Sequence, residues 1–358
     1  MTLKKISGLT SKLLCTVLLP VNFAFAQQSF RLFLVGDAGD HKEAAETLVN
    51  LGKELVKYPN SAVVFLGDNS YKDIFWGWIH HGFKGFDSSE NTMAKIRSQI
   101  SLLDEYRGSA FFIPGNHDWW NRTTYEKGYR KLAMEESFIE DNLKNNMNIA
   151  NKENVFLPKN GAYGPEYVEL NQGTIRIIFI DTYRIVQTGI KKSKIPQEEK
   201  QFYPRLDSVI REGWLRNQKI IVAAHHPVYS SGPHTRSLKH PYLFGRIKAS
   251  SPDFPSYHQM ILQITKILSH YPGIYYVAGH LHALQYFYTR DSIHYIISGA
   301  GSKEIELSQE EETKYEVRSP NEFLLWNTGG FFAIDFNGKS DQIILYFDDG
   351  SRQCFLQE

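Results

Sequence analysis

Seven side chains in this sequence carry atoms of the kind that ligate metal ions: Asp37, Asp68, Tyr71, Asn116, His225, His280 and His282. They stand in five short motifs, Gly36-Asp37-Ala38-Gly39, Gly67-Asp68-Asn69-Ser70-Tyr71, Gly115-Asn116-His117-Asp118, Val222-Ala223-Ala224-His225 and Gly279-His280-Leu281-His282. Oxygen and imidazole donors without a thiolate suit hard or borderline ions such as iron, manganese or zinc. A carboxylate can bridge two ions, so this set is large enough for a pair if one Asp is shared. Tyrosine is a poor ligand for zinc or magnesium, because a phenol pKa of ~10 must be overcome. A trivalent ion such as ferric iron overcomes it, and Asp68 with Tyr71 three residues on therefore points to a mixed-valence pair. Each motif alone is weak, since a Gly-Asp is more often a turn and Asn116-His117 can cap a helix. The signal is that all five occur, each at the end of an apolar run.

Those runs read as strands. Arg31 to Val35 precedes Asp37, Ala62 to Leu66 precedes Asp68, and Ala110 to Ile113 precedes Asn116. Lys219 to Ala224 leads to His225 and Ile274 to Ala278 leads to His280. Between them, Lys42 to Tyr58, Thr92 to Tyr106, Tyr125 to Asn146, Gln197 to Trp214 and Tyr257 to Tyr271 have helical spacing of apolar residues. Strand–helix–strand order predicts parallel βαβ units and an α/β fold, and in such sheets ligand-binding groups gather at the C-terminal strand ends. Ile175 to Ile180, His294 to Ser298, Phe331 to Phe336 and Ile343 to Phe347 add further strands. The loop Asp73 to Phe86 is crowded with Phe, Trp and His, which reads as a cap on the core in preference to a substrate wall.

The 358-residue chain is 42% hydrophobic and 22% charged with net charge +1, a globular composition too neutral to call for nucleic acid or an anionic membrane as partner. Residues 1–26 read as a cleaved signal peptide: Lys4, Lys5 and Lys12, an apolar run from Leu13 to Leu19, Pro20, and a small-x-small end at Ala24-Phe25-Ala26. The run is too short to span a membrane. Residues 27–358 are expected to form one catalytic domain, secreted or periplasmic. Cys15 leaves with the signal and Cys354 stands alone, which leaves no intrachain disulfide.

The five motifs in this order resemble the calcineurin-like metallophosphoesterases, and Tyr71 narrows the resemblance to purple acid phosphatases of the tartrate-resistant type. Ala283-Leu284-Gln285-Tyr286, Ile297 to Gly301 and the close of the chain from Gly329 share it. The resemblance implies an αββα sandwich of two packed mixed β-sheets flanked by helices. It implies that Asp37, Tyr71 and His282 bind Fe(III), that Asp68 bridges, and that Asn116, His225 and His280 bind a second divalent metal (Fe, Zn or Mn). His117 and His234 match catalytic positions facing the phosphate and the leaving group. The implied activity is hydrolysis of small phosphate monoesters with an activated hydroxide at acidic pH. The alternatives are a phosphodiesterase or nucleotide hydrolase with the same site, and a non-hydrolytic iron redox protein. His226 departs from the family's frequent aromatic and leaves a choice between His225 and His226 as ligand, which the spacing from Val222 resolves toward His225.

Overall fold

The computed structural model describes residues 29–41, 44–71, 89–119, 125–190, 197–232, 255–312, 321–338 and 340–356. The expected signal peptide, the aromatic loop 73–86 and His234 lie outside the described residues. One six-stranded sheet contains β1 (Phe30–Val35), β2 (Ser61–Phe65), β3 (Ser109–Phe112), β11 (Gly330–Phe336), β12 (Gln342–Phe347) and β13 (Arg352–Leu356). Its order is β13-β12-β11-β1-β2-β3. The second sheet contains β4 (Glu166–Leu170), β5 (Ile175–Phe179), β6 (Lys219–Ala223), β7 (Tyr275–Ala278), β8 (Leu284–Tyr288), β9 (His294–Ser298) and β10 (Glu322–Leu325), in the order β10-β8-β9-β7-β6-β5-β4.

The expected parallel units are present: β1, β2 and β3 run parallel in one sheet, as do β5, β6, β7 and β9 in the other. Antiparallel strands complete both, so each sheet is mixed. Side chains of a strand alternate between faces, and β1 shows what that does here. Leu32 and Leu34 pack between the sheets with Val64, Ile177 and Val277. Phe33 and Val35 point the other way, onto α1 (Glu46–Lys57), α2 (Ser89–Ile100) and α3 (Tyr125–Lys144). The second sheet carries α4 (Thr182–Ile190), α5 (Gln197–Leu215) and α6 (Pro255–Leu268) on its outer face, through Val186, Leu206, Ile264 and neighbours. Helices, sheet, sheet and helices form the expected four layers.

Where the sheets touch, β1 and β9 are joined by polar groups. The buried Ser298 hydroxyl donates to the Leu34 carbonyl at 2.6 Å and accepts from the Phe332 amide at 3.0 Å, while its carbonyl accepts from the Gly36 amide at 2.7 Å. Ser298→Ala removes both of these side-chain hydrogen bonds from the buried joint. Chemical denaturation of the metal-free protein is expected to show a loss of about 2 kcal/mol.

At the β5 tip, Asp181 caps α4 by accepting from the Arg184 amide at 3.0 Å and also accepts from Trp119 Nε1 at 2.7 Å. Burial pushes this carboxyl up to about 7, against those two hydrogen bonds. A folded pKa raised above the unfolded value contributes stability below pH ~4 that is lost as pH rises through ~7. Asp181→Asn cannot titrate, and its side-chain amide meets the Trp119 N–H, so it is less stable in acid. Its deficit relative to the parent is expected to shrink between pH 4 and 7, by up to about 1.4 kcal/mol per pH unit. Parallel denaturation curves across that window would overturn the assignment.

Candidate metal centre

The structure brings all seven predicted donors, and His117 with them, to one rim formed by strand tips of both sheets. The loops after β1, β2 and β3 supply Asp37, Asp68, Tyr71, Asn116 and His117; those after β6 and β7 supply His225, His280 and His282. The local backbone is unusual. Asp37 (φ 57°), Asp68 (55°), His280 (75°) and His282 (49°) all occupy the left-handed region, which is uncommon for residues with a Cβ and favoured at sites held by their surroundings. Gly67 (φ 85°) makes the Asp68 turn: a Cβ there would lie 2.7 Å from the Gly115 amide nitrogen and 2.8 Å from His225 Nδ1. Only glycine lets these three loops approach so closely.

The side chains form two overlapping groups. In the first, the Tyr71 hydroxyl donates to Asp37 Oδ1 at 2.6 Å and lies 3.0 Å from His282 Nε2, which is itself 3.4 Å from Asp37 Oδ1. In the second, His225 Nε2 lies 3.0 Å from Asn116 Oδ1 and 3.3 Å from His280 Nδ1. Asp68 stands between them, with Oδ1 at 3.4 Å from His225 Nε2 and its carboxylate charge acting on the Tyr71 phenol. A carbonyl only accepts, so the 2.8 Å contact of His225 Nδ1 with the Leu66 carbonyl puts a hydrogen on Nδ1 and turns Nε2 toward the other donors.

This donor set fits metal ions. Asp37, Asp68 and His225 are fully buried or nearly so, and each offers one ligand atom within 4.8 Å of the others. Burial would raise the Asp68 pKa, but the His225, His117 and His282 imidazoles and the His117 amide, which donates to Oδ1 at 2.7 Å, hold it below the usual range. Burial, then the Asp37 and Asp68 carboxylates, push the Tyr71 phenol well above 10. Burial lowers the His117 pKa, opposed by Asp68 and Asp118.

His226, the rival to His225, points elsewhere. Its Nδ1 is 2.9 Å from the Thr182 hydroxyl, and its ring packs behind His280 at 4.4 Å between centroids. The supporting groups were less visible in the sequence. Asp118 accepts from the Gly115 amide (2.7 Å), the Ser70 amide (3.1 Å) and Asn69 Nδ2 (3.1 Å), tying the β2 and β3 loops together. Behind it, Lys131 on α3 donates to the His117 carbonyl (2.9 Å) and pairs with the buried Glu135 (2.7 Å), which accepts from the Ser70 hydroxyl. Lys303, one step past the β9 loop, stands over the Tyr71 ring. It stands two residues past the Ile297 to Gly301 stretch, and that proximity was its one trace in the sequence.

Comparison with known proteins agrees with the geometry. The family description "Calcineurin-like phosphoesterase" matches residues 30–284. Tartrate-resistant acid phosphatase type 5 of Homo sapiens is 22% identical over 372 aligned residues, covering 96% of this chain and 94% of its own. The Mus musculus protein of the same name is also 22% identical, with 88% and 81% covered. Among solved structures, GAP50, the anchor in the inner membrane complex of Plasmodium, aligns with TM-score 0.56 at 15% identity, over 92% of this chain and 89% of its own. A dimetal phosphatase from Danio rerio aligns with TM-score 0.50 at 11% identity, over 92% and 99%. At such identities the two structures speak for the fold. The match along 30–284, on a fold whose strand tips gather these donors, means that the chain belongs to the calcineurin-like phosphoesterase family, as an enzyme of phosphoester hydrolysis.

Proposed function

We propose that this chain hydrolyses phosphate monoesters with a binuclear Fe(III)–M(II) centre, M being iron, zinc or manganese. The observation that carries the reading is the Tyr71 hydroxyl, held between Asp37 Oδ1 and His282 Nε2 with Asp68 alongside. A phenol whose pKa is pushed well above 10 exchanges its proton for a metal bond only with a strongly polarising ion. Asp37, Tyr71 and His282 would therefore hold ferric iron, and Asn116, His225 and His280 the divalent ion. Asp68, which reaches both groups, would be shared. When bound, such a pair polarises the phosphoryl group and supplies hydroxide in acid, which gives an acidic pH optimum.

The chain's own residues do the rest. His117 is fixed from both sides, its amide on Asp68 and its carbonyl on Lys131, and its ring centroid lies 4.4 Å from that of Tyr71. It is proposed to carry the proton to the leaving oxygen, with His234 as its partner. Small phosphorylated molecules are the proposed substrates. Residues 1–26 would be removed and 27–358 act as one secreted or periplasmic catalytic domain. The Ala24-Phe25-Ala26 end of the leader supports this, and no described helix is long and apolar enough to cross a membrane.

Iron-loaded protein is expected to hold two metal ions per chain and to show a visible charge-transfer band that Tyr71→Phe abolishes. Colourless wild-type protein with a full iron complement would sink the ferric assignment. His117→Asn should lower kcat on p-nitrophenyl phosphate by ~10²–10⁴ with metal content unchanged. Faster turnover of the bis-ester than of the monoester would instead favour a diesterase.

A further inference from the structure

Lys303 has a fixed place at the rim. The preceding Ser302 is buried, donates to the Asp37 carbonyl at 2.8 Å and accepts from the Asp40 amide at 3.0 Å. This stitches the segment after β9 to the Asp37 loop and brings Lys303 Nζ to 4.5 Å from the centre of the Tyr71 ring. Asp40 Oδ1 is 3.7 Å from the ammonium, a distance of ion pairing and too long for a hydrogen bond. The side chain is 39% exposed.

Two other lysines nearby are differently engaged. Lys95 donates to the Tyr71 carbonyl at 2.8 Å, and Lys131 to the Ser70 hydroxyl and His117 carbonyl at 2.7 and 2.9 Å. Both hold backbone in place from beneath. Lys303 reaches the same tyrosine from a partly exposed position, with a loose carboxylate neighbour and a flexible stem.

We propose that Lys303 is a specificity-determining residue that engages the phosphoryl oxygens of an ester seated at the donor cluster and favours doubly charged monoesters over singly charged diesters. The inference rests on the phosphatase reading of this site. Without an anion, Asp40 keeps the ammonium over Tyr71. A phosphate dianion offers short charge-assisted hydrogen bonds of ~2.7–2.9 Å, stronger than a 3.7 Å ion pair. A diester carries one charge fewer and has one oxygen more blocked, so it gains less from the same cation. The lysine, a mobile point charge, suits an anion whose leaving group varies.

The test uses metal-loaded full-length protein, Lys303→Met and Lys303→Arg, with metal content measured for each. Assays run at pH 7, where a monoester carries its second charge. Lys303→Met is expected to raise KM for p-nitrophenyl phosphate by ~10-fold or more with kcat within about threefold, and to weaken binding of inorganic phosphate in calorimetry by ~10–100-fold. The loss in kcat/KM on bis(p-nitrophenyl) phosphate should be several times smaller, and Lys303→Arg should recover most of the monoester activity. Equal losses on the two esters, unchanged phosphate affinity, or loss of metal from Lys303→Met would each overturn the proposal. If the wild-type protein turns over neither ester, the phosphatase reading fails, and the phosphate titration still decides the role of Lys303.

Discussion

The Asp37 carboxylate fastens the two sheets to each other at the rim. Its Oδ1 accepts from Tyr71 after β2, and its Oδ2 accepts from the His280 amide after β7 at 2.6 Å. Its own amide donates to the Gly67 carbonyl at 3.0 Å, and its carbonyl accepts from Ser302 after β9. One residue at the tip of β1 thus fixes the positions of three other strand tips, two of them in the opposite sheet. An apolar sandwich can slide; a buried carboxylate with directed bonds cannot. The left-handed φ of 57° at Asp37 is the local cost of pointing its carboxylate across the joint.

The donors were legible in the sequence because each follows a run that could only be a buried strand. β1, β2, β6 and β7 are apolar on both faces, and a Gly or Ala step ends each one before the donor appears. That the tips belong to two sheets was not legible from the runs. Strand order depends on which faces meet, and local pattern carries no record of it; the resemblance supplied the sandwich. β4 escaped because its glutamates, Glu166 and Glu169, fall on opposite faces of a short edge strand, which leaves no clean apolar alternation. α4 escaped because it is short, and its start depends on the Asp181 cap. The helix expected from Lys42 begins at Glu46, since Ala45 is extended and caps nothing with its side chain.

The support beneath the site was hidden for another reason. Lys131, Glu135 and Glu136 sit in a charged, periodic helix, and a run of charges usually marks a solvated face. Here part of that face is turned inward. Glu135 is fully buried, and burial pushes its carboxyl well above the usual range, opposed by Lys131. Lys131 and Glu135 are partnered with the Ser70 hydroxyl, and Lys131 also with the His117 carbonyl, atoms that belong to the site's own loops. A buried ion pair is a weak source of stability, and the physical reason to keep one is the geometry it imposes. Nothing in the spacing of α3 distinguishes Glu135 from its exposed neighbours; only the position of the β2 loop does.

The same donors that make the site legible make the metal-free protein uncomfortable. His225 Nε2 faces Asn116 Oδ1, His280 Nδ1 and Asp68 Oδ1 within 3.4 Å, and the tautomer fixed by Leu66 leaves it no hydrogen unless the ring is charged. Burial disfavours that charge, and the Asp68 and Asp37 carboxylates overcome it, so the His225 pKa is raised. A proton satisfies one of these contacts at a time; a cation satisfies all of them together. Four donors meanwhile hold left-handed backbone that the unfolded chain would abandon. The sandwich core, not the site, must therefore hold the loops in place before any ion arrives. An ion that binds only this arrangement adds its binding free energy to folding, and the rim is the part of the structure most dependent on that contribution.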